Sequence, residues 1–517
     1  MANLLPRVKW AVIDGLPFWL LKKYLDDASM PNLARLMAQG AITPLEPLWP
    51  NCQTPPSLFS IWSGQPATTH GIWGFDTPHG EQPGAFRNGF THWPASVEMV
   101  WETWARAGYD VRLNHIPFVD EAKLGDRLVA RSAVYGETLY DSRLFTGSMC
   151  LSLDRYDVTL TLQPLDERQA LLHVDGECIR FTQKLDLDVF NDIALPAPLK
   201  GALTLMPCRS DAGRLQGALL GKNHYYRSGR EPARTGHPPE ADFCHVSLAK
   251  LYRNNELGLK KGQGGQGNAE KKLFASLARV HQSFSQELKE SFAQQDADLT
   301  VGYYPVIDLA LHEILNLEHM AQEDDEIAGY FWKVMAWAET VVAALAANCR
   351  EDEILIINSD HGMQPISDIY YLNHYLALHG WLVFDEKGEI DYANTRAAYH
   401  PAENGTLLIH EACDASLVCE RVCAFFSEAG LEGARVVRLP QSERQQAFDT
   451  GWFLQPPDGV RVKASASAIP VRLSDKAGDH CGYSPLSDLK GTLISTHGGA
   501  RPSLMQMYDI KAFILDN

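Results

Sequence analysis

Four short apolar runs give the chain its frame. Val8 to Ile13 (VKWAVI) stops at Asp14-Gly15, and Leu299 to Tyr304 (LTVGYY) stops shortly before Asp308. Glu353 to Asn358 (EILIIN) stops at Ser359, Asp360, His361 and Gly362, and Gly491 to Ser495 (GTLIS) stops at Thr496, His497, Gly498 and Gly499. Runs of this length, rich in β-branched residues, predict strands buried on both faces. Such strands deliver polar side chains at their C-terminal ends, the edge where open α/β sheets bind ligands.

The intervals carry helical spacing. Met30 to Gln39 predicts a helix with Pro31 in its first turn and Gly40 as its stop, and Glu326 to Ala347 predicts a long amphipathic helix. Pro47, Pro50, Pro55 and Pro56 mark a loop, with a helix starting near Ser57; a second α/β unit closes with the strand-like VRLNHIP, near Pro117. From about Val134 to Tyr226 the pattern changes to short alternating segments such as DVTLTLQPL, which predicts antiparallel sheet. Lys260 to Gly267 (KKGQGGQG) reads as a flexible loop, the α/β pattern resumes near Asp298, and Asp414 to Arg472 predicts a smaller insertion. The expected organisation is therefore a catalytic core in three parts, 1–130, 298–410 and 476–517, interrupted by a β-rich cap insertion, 131–297, and a small α/β insertion, 411–475.

At 517 residues, with 45% hydrophobic content and 12 Trp, the chain is long enough for a large core carrying insertions. A net charge of −18 argues against a nucleic-acid polymer as partner, because phosphate backbones are repelled. It does not exclude a small phosphorylated substrate, since bound cations reverse the field locally. No secretory signal and no bilayer-length apolar run is evident, and the 10 Cys are scattered without a CxxC pair. A cytoplasmic protein without a membrane partner is the simplest expectation, with Cys413, Cys419 and Cys423 read as core packing. Oligomeric state leaves no signal.

The strand ends carry the candidate chemistry. Asp308 and His312 are spaced to share one helix face, and Gly362 is expected to let the backbone turn so that Asp360 and His361 converge. With Asp14 and His497 these make six carboxylates and imidazoles at four strand ends, a donor set for divalent cations. Thr54 sits between a Pro-rich loop and a helix start, where free N–H groups favour phosphate. A cation would activate its hydroxyl as a nucleophile. The alternative is that Thr54 and Ser57 cap the helix.

Taken together, Thr54-Pro-Pro-Ser57, Ser63-Gly64, Pro66, His70-Gly71-Ile72, the DxxxH pair, SDHGM and the late THGG resemble one family. It is the type I phosphodiesterase/nucleotide pyrophosphatase branch of the alkaline phosphatase superfamily. Pro66 falls one place earlier than in the family's turn. The resemblance implies an α/β fold: an alkaline phosphatase-like three-layer α/β/α sandwich with a mostly parallel central sheet and a β-rich insertion. It implies two divalent metal ions, zinc by similarity, with Mn²⁺ compatible with mixed N and O donors. Asp308, His312 and His497 would hold one ion; Asp14, Asp360, His361 and the Thr54 oxygen would hold the other. Thr54 would attack phosphorus and form a phosphothreonine that water then releases.

The implied activity is that of a metal-dependent phosphoric ester hydrolase, a phosphodiesterase or nucleotide pyrophosphatase acting on a small phosphorylated substrate. Alternatives within the superfamily are a phosphomonoesterase, a phosphonate hydrolase and a phosphotransferase. An alternative of another class is a catalytically inactive binding protein on this fold. Ser57 replaces an Asn that binds a phosphoryl oxygen in the family, and His480 in GDHCGYSP is a second substrate-binding candidate, at the pocket rim. Cys52 invites a sulfatase reading, but the C-x-P-x-R context is absent.

Overall fold

A computed structural model describes residues 5–26, 28–132, 143–153, 156–197, 199–227, 245–440, 444–467, 469–484, 488–496 and 503–515. By its internal contacts the chain divides into two compact units, Met1–Arg131 with Leu288–Asn517, and Ser132–Glu287.

The larger unit is built on an eight-stranded sheet. Its strands are β1 (Arg7–Ile13), β2 (Ile42–Glu46), β3 (Val111–Asn114), β4 (Leu128–Arg131), β5 (Leu299–Tyr304), β6 (Glu353–Asn358), β7 (Gly491–Ser495) and β8 (Met505–Gln506). Their spatial order is β8-β2-β7-β6-β1-β5-β3-β4. β1 pairs in parallel with both β5 and β6, and β5, β3 and β4 continue the parallel run. Every residue of β5 is buried, as are the last six of β1, because helices cover both faces of a parallel sheet. The architecture is the alkaline phosphatase-like α/β/α sandwich expected from sequence.

The apolar spacing of the long helix explains its seat. Helix Asp325–Ala347 buries Ile327, Phe331, Val334, Ala338, Val341 and Leu345, residues three or four apart that form one stripe. The Asp324 carboxylate caps its start, accepting from Glu326 N at 3.0 Å and Ile327 N at 3.1 Å. Helix Pro31–Ala38 likewise starts on a proline and is followed by Gly40 at φ 66°.

One direction differs from the sequence expectation. β7 runs antiparallel to β6, with Asn358 opposite Leu493 and Ile356 opposite Ser495. Its start, not its end, lies at the edge where β1, β5 and β6 finish. Apolar periodicity reports burial and carries no strand direction, so the run GTLIS gave no warning.

Within the larger unit, strands Ala397–Tyr399, Thr406–His410, Phe448–Gln455 and Arg435–Arg438 form a further antiparallel sheet. Helix Ala415–Glu428 packs against it through Val418, Val422, Phe425 and Phe426. The smaller unit holds two antiparallel four-stranded sheets. Alternating residues such as Val158, Leu160 and Leu162 face a core shared with Leu203, Leu205 and Leu220.

Candidate metal centre

The parallel pairing of β1 with β6 sets the first group of ligands. Val12 lies opposite Asn358, so Asp14 and Asp360 leave adjacent strands at the same edge. Asp14 N donates to Tyr304 O at 2.9 Å, Gly15 N donates to Asp360 Oδ1 at 3.1 Å, and the Tyr303 hydroxyl donates to Asp14 Oδ2. His361 donates from Nδ1 to Gly362 O at 2.9 Å, which turns Nε2 toward the carboxylates. That nitrogen lies 3.2 Å from Asp14 Oδ1 and 3.5 Å from Asp360 Oδ2.

The second group is assembled by helix Val306–Ile314, which begins two residues after β5. Asp308 and His312, one turn apart, bring Oδ1 and Nε2 to 3.3 Å. His312 donates from Nδ1 to Gly478 O at 2.7 Å, leaving Nε2 free. The third member is His480, whose Nε2 lies 3.5 Å from Asp308 Oδ1. Its backbone is fixed by the pairing of Gln364–Pro365 with Gly478–Asp479. Asp308, His312 and His480, and separately Asp14, Asp360 and His361, each offer three ligand atoms within 4.8 Å of one another.

The sequence reading assigns the third position of this group to His497 and the pocket rim to His480; among the described residues it is His480 that stands beside Asp308 and His312. His497 itself lies outside the described residues. β7 ends at Ser495, opposite Ile356, and Thr496 N donates to Leu355 O at 3.1 Å, so this strand leads toward the opposite edge. A signal for His480 was present: GDHCG holds a His beside glycines, as SDHGM does. The supporting residues were not anticipated. Asp479 binds Arg461 Nε at 2.7 Å, and its Oδ1 accepts from His480 N at 2.9 Å. Burial favours a neutral Asp479, but Lys476 and Arg461 outweigh it and hold the carboxyl well below the usual range.

Two glycines make the convergence possible. At Gly15, φ is 66°, and a Cβ would stand 2.8 Å from Asp308 Cβ and 2.9 Å from Asp308 Cα. Gly362 acts by close approach and not by the turn expected for it. A Cβ there would lie 2.4 Å from Asp488 O and 2.5 Å from Lys490 O.

The residues present fit divalent cations. Asp14 Oδ1, Asp308 Oδ1 and Asp360 Oδ2 are buried and accept no hydrogen bond. Burial, then the charge of Asp14, pushes the Asp308 and Asp360 carboxyls well above the usual carboxylate range. Burial also holds the His312 and His480 imidazoles well below theirs, and therefore neutral. Carboxylate oxygens without donors, beside neutral rings with free nitrogens, are a donor set that a divalent cation satisfies. Mixed N and O donors suit zinc or manganese.

Thr54 opens helix Thr54–Ser63, one turn earlier than the sequence suggested, because Pro55 and Pro56 occupy first-turn positions whose N–H groups need no helical partner. Gln53, extended at φ −63° and ψ 153°, is the N-cap and no side chain caps this helix. Capping therefore does not account for Thr54. Its Oγ1 lies instead 3.3 Å from His361 Nε2, the atom that faces Asp14. Three residues on, the Ser57 hydroxyl is buried without a partner. Cys52 is buried, its thiol donates to His480 O at 2.9 Å, and burial pushes its pKa well up, so it ties the His480 segment in place. His70 closes a turn: its Nδ1 accepts from Ile72 N at 3.1 Å and its Nε2 meets Ser60 Oγ at 2.8 Å.

The model of the type I phosphodiesterase / nucleotide pyrophosphatase family matches residues 11–125 and 228–417. Among solved structures, phosphonoacetate hydrolase from Sinorhizobium meliloti 1021 in complex with phosphonoformate is similar at 13% identity, covering 99% of this chain and 96% of that one, with a TM-score of 0.49. Murine ectonucleotide pyrophosphatase / phosphodiesterase 5 is similar at 11% identity, covering 98% and 94%, with a TM-score of 0.46. No curated protein sequence matches the chain.

Proposed function

Because the chain belongs to the type I phosphodiesterase / nucleotide pyrophosphatase family, we propose that it is a metal-dependent phosphoric ester hydrolase using Thr54 as nucleophile. The substrate class is a small phosphodiester or nucleotide pyrophosphate. The observation that carries this reading is the placement of Thr54 Oγ1 against His361 Nε2, beside two buried acid and imidazole groups.

Asp308, His312 and His480 would hold one cation, and Asp14, Asp360 and His361, with the Thr54 oxygen, the other; both are zinc in this reading, or manganese. Bound cations supply the positive charge that lowers the pKa of a coordinated hydroxyl and neutralises phosphoryl oxygens. Tyr303 holds Asp14, the Gly478 carbonyl holds His312, and the Gly362 carbonyl holds His361, so the ligand atoms are oriented before substrate arrives. The unpartnered Ser57 hydroxyl is placed to donate to a phosphoryl oxygen. In the first step the Thr54 hydroxyl gives its proton to solvent and its oxygen forms a bond to phosphorus, as the ester oxygen leaves with the electrons of the broken P–O bond and takes up a proton from solvent. In the second, water attacks the phosphothreonine, the Thr54 oxygen leaves with the electrons of its bond to phosphorus, and the proton released by the water restores the hydroxyl.

Turnover of a nitrophenyl phosphodiester, the corresponding monoester, a nucleoside triphosphate and phosphonoacetate, compared side by side, tests the reading. Preference for the diester or the triphosphate is expected. Exclusive turnover of the monoester or of phosphonoacetate would replace the substrate class, and no turnover by metal-loaded protein would leave the inactive binding protein.

A further inference from the structure

Away from the metal groups, one cavity gathers polar side chains that the proposed reaction does not use. The hairpin of Asp76–Pro78 and Phe86–Asn88 sets Thr77 directly opposite Arg87, so both side chains stand on one face of the ribbon. That face walls a cavity of about 310 Å³ that Thr69, Trp73, Thr406 and Thr450 also line. Among the described residues nothing pairs with the Arg87 guanidinium. In a chain with 64 acidic against 46 basic side chains, an Arg left without a carboxylate in a concave wall stands out.

The hydroxyls around it have donors to spare. Thr406 is 1% exposed and its hydroxyl has no hydrogen-bond partner, a costly state for a buried polar group. Thr77 Oγ1 accepts from Trp73 N at 3.1 Å, which leaves its proton available. A planar cation flanked by hydroxyl donors is the donor set of an oxyanion site. The volume exceeds that of a bare anion and leaves room, beside Trp73, for a short carbon body.

We propose that this cavity is a second ligand site, separate from the metal centre, for a small organic oxyanion. The carboxylate or phosphate sits on Arg87, and the body of the ligand lies against Thr77 and Thr406.

Equilibrium dialysis of metal-loaded protein against labelled inorganic phosphate, and separately against labelled glycolate, tests it. Arg87→Gln is expected to weaken binding of at least one of the two by about tenfold or more, as loss of a charged hydrogen bond does. Thr406→Val is expected to weaken the same anion by a smaller factor, and both variants should keep the turnover of the wild type without added anion. The anion more sensitive to Arg87→Gln identifies the group recognised. If both variants bind both anions as the wild type does, or if all binding disappears on chelation of the metal, the proposal is overturned. Thr406→Val keeps the test open should Arg87→Gln fail to fold.

Discussion

The rings of His361 and His480 lie face to face, with centroids 3.7 Å apart and planes 13° from parallel. One ring belongs to each ligand group, so the stack joins the two groups side by side. Burial and then the charge of His361 hold His480 well below the ordinary imidazole range. Burial also lowers His361, but the close approach of the Asp14 carboxylate, 3.2 Å away, outweighs this and raises it.

Metal content separates the roles of the imidazoles. Wild-type protein is expected to hold about two divalent ions per chain. His312→Ala and His480→Ala should lose the same ion, Asp360→Asn the other, and His497→Ala neither. Elemental analysis of purified variants gives the count. Full metal content in His480→Ala together with loss in His497→Ala would return the third position to His497.

What the sequence revealed follows from what each signal encodes. Asp14, Asp308, His312, Asp360 and His361 follow strands whose burial is written in apolar runs, and the structure brings all five to one edge. His480 escaped because its short pairing, Gly478–Asp479 with Gln364–Pro365, has too few residues to show a period. Its position depends on tertiary contacts with the helix carrying His312. Similarly, the apolar run of β7 indicated a buried strand but not its antiparallel direction. Gly15 was visible as a residue following a strand, yet its near contact with Asp308 depends on a partner 293 positions away.

Gly15→Ala should damage the centre from outside the ligand set. The left-handed backbone costs a non-glycine residue about 1–3 kcal/mol, and the added Cβ would also collide with Asp308 Cβ at 2.8 Å. A lower melting temperature with reduced metal content is expected. Gly71→Ala is the control, because its φ is 70° but nothing lies within 4 Å of the new Cβ. It should show the backbone cost alone, with metal retained. Equal metal loss in both variants would show that the approach to Asp308 is not what matters.

Acid should weaken the fold through two histidines outside the metal groups. Burial lowers His70 to about 3 and His400 to about 4. The neutral ring is required at His400, where Nδ1 accepts from Ala402 N at 3.0 Å and Nε2 meets Gln445 Oε1 at 3.2 Å. Between these values and the unfolded pKa near 6.5, the unfolded chain binds protons that the native chain does not. The contribution of these two residues is therefore fully present above about pH 6.5 and is lost as pH is lowered, by about 1.4 kcal/mol per pH unit for each His. Urea unfolding in the presence of a chelator, at steps from pH 7.5 downward, measures the slope. His400→Gln should remove about one proton from it; an unchanged slope would show that His400 already titrates normally in the folded chain.

Thr54 gives the test of the chemistry itself. Six side-chain ligands remain when its hydroxyl is removed, so Thr54→Ala is expected to keep both metals and lose turnover by roughly three or more powers of ten. Thr54→Ser keeps the oxygen and loses one methyl group, and it should retain a measurable fraction of activity. Rapid quenching of wild-type protein with substrate labelled in the phosphoryl group should trap label on Thr54. Because Gln53, and not Thr54, is the helix N-cap, little loss of stability is expected in either variant, and melting temperatures check this. A folded, metal-loaded Thr54→Ala protein with nearly full turnover would remove Thr54 from the mechanism and leave direct attack by water.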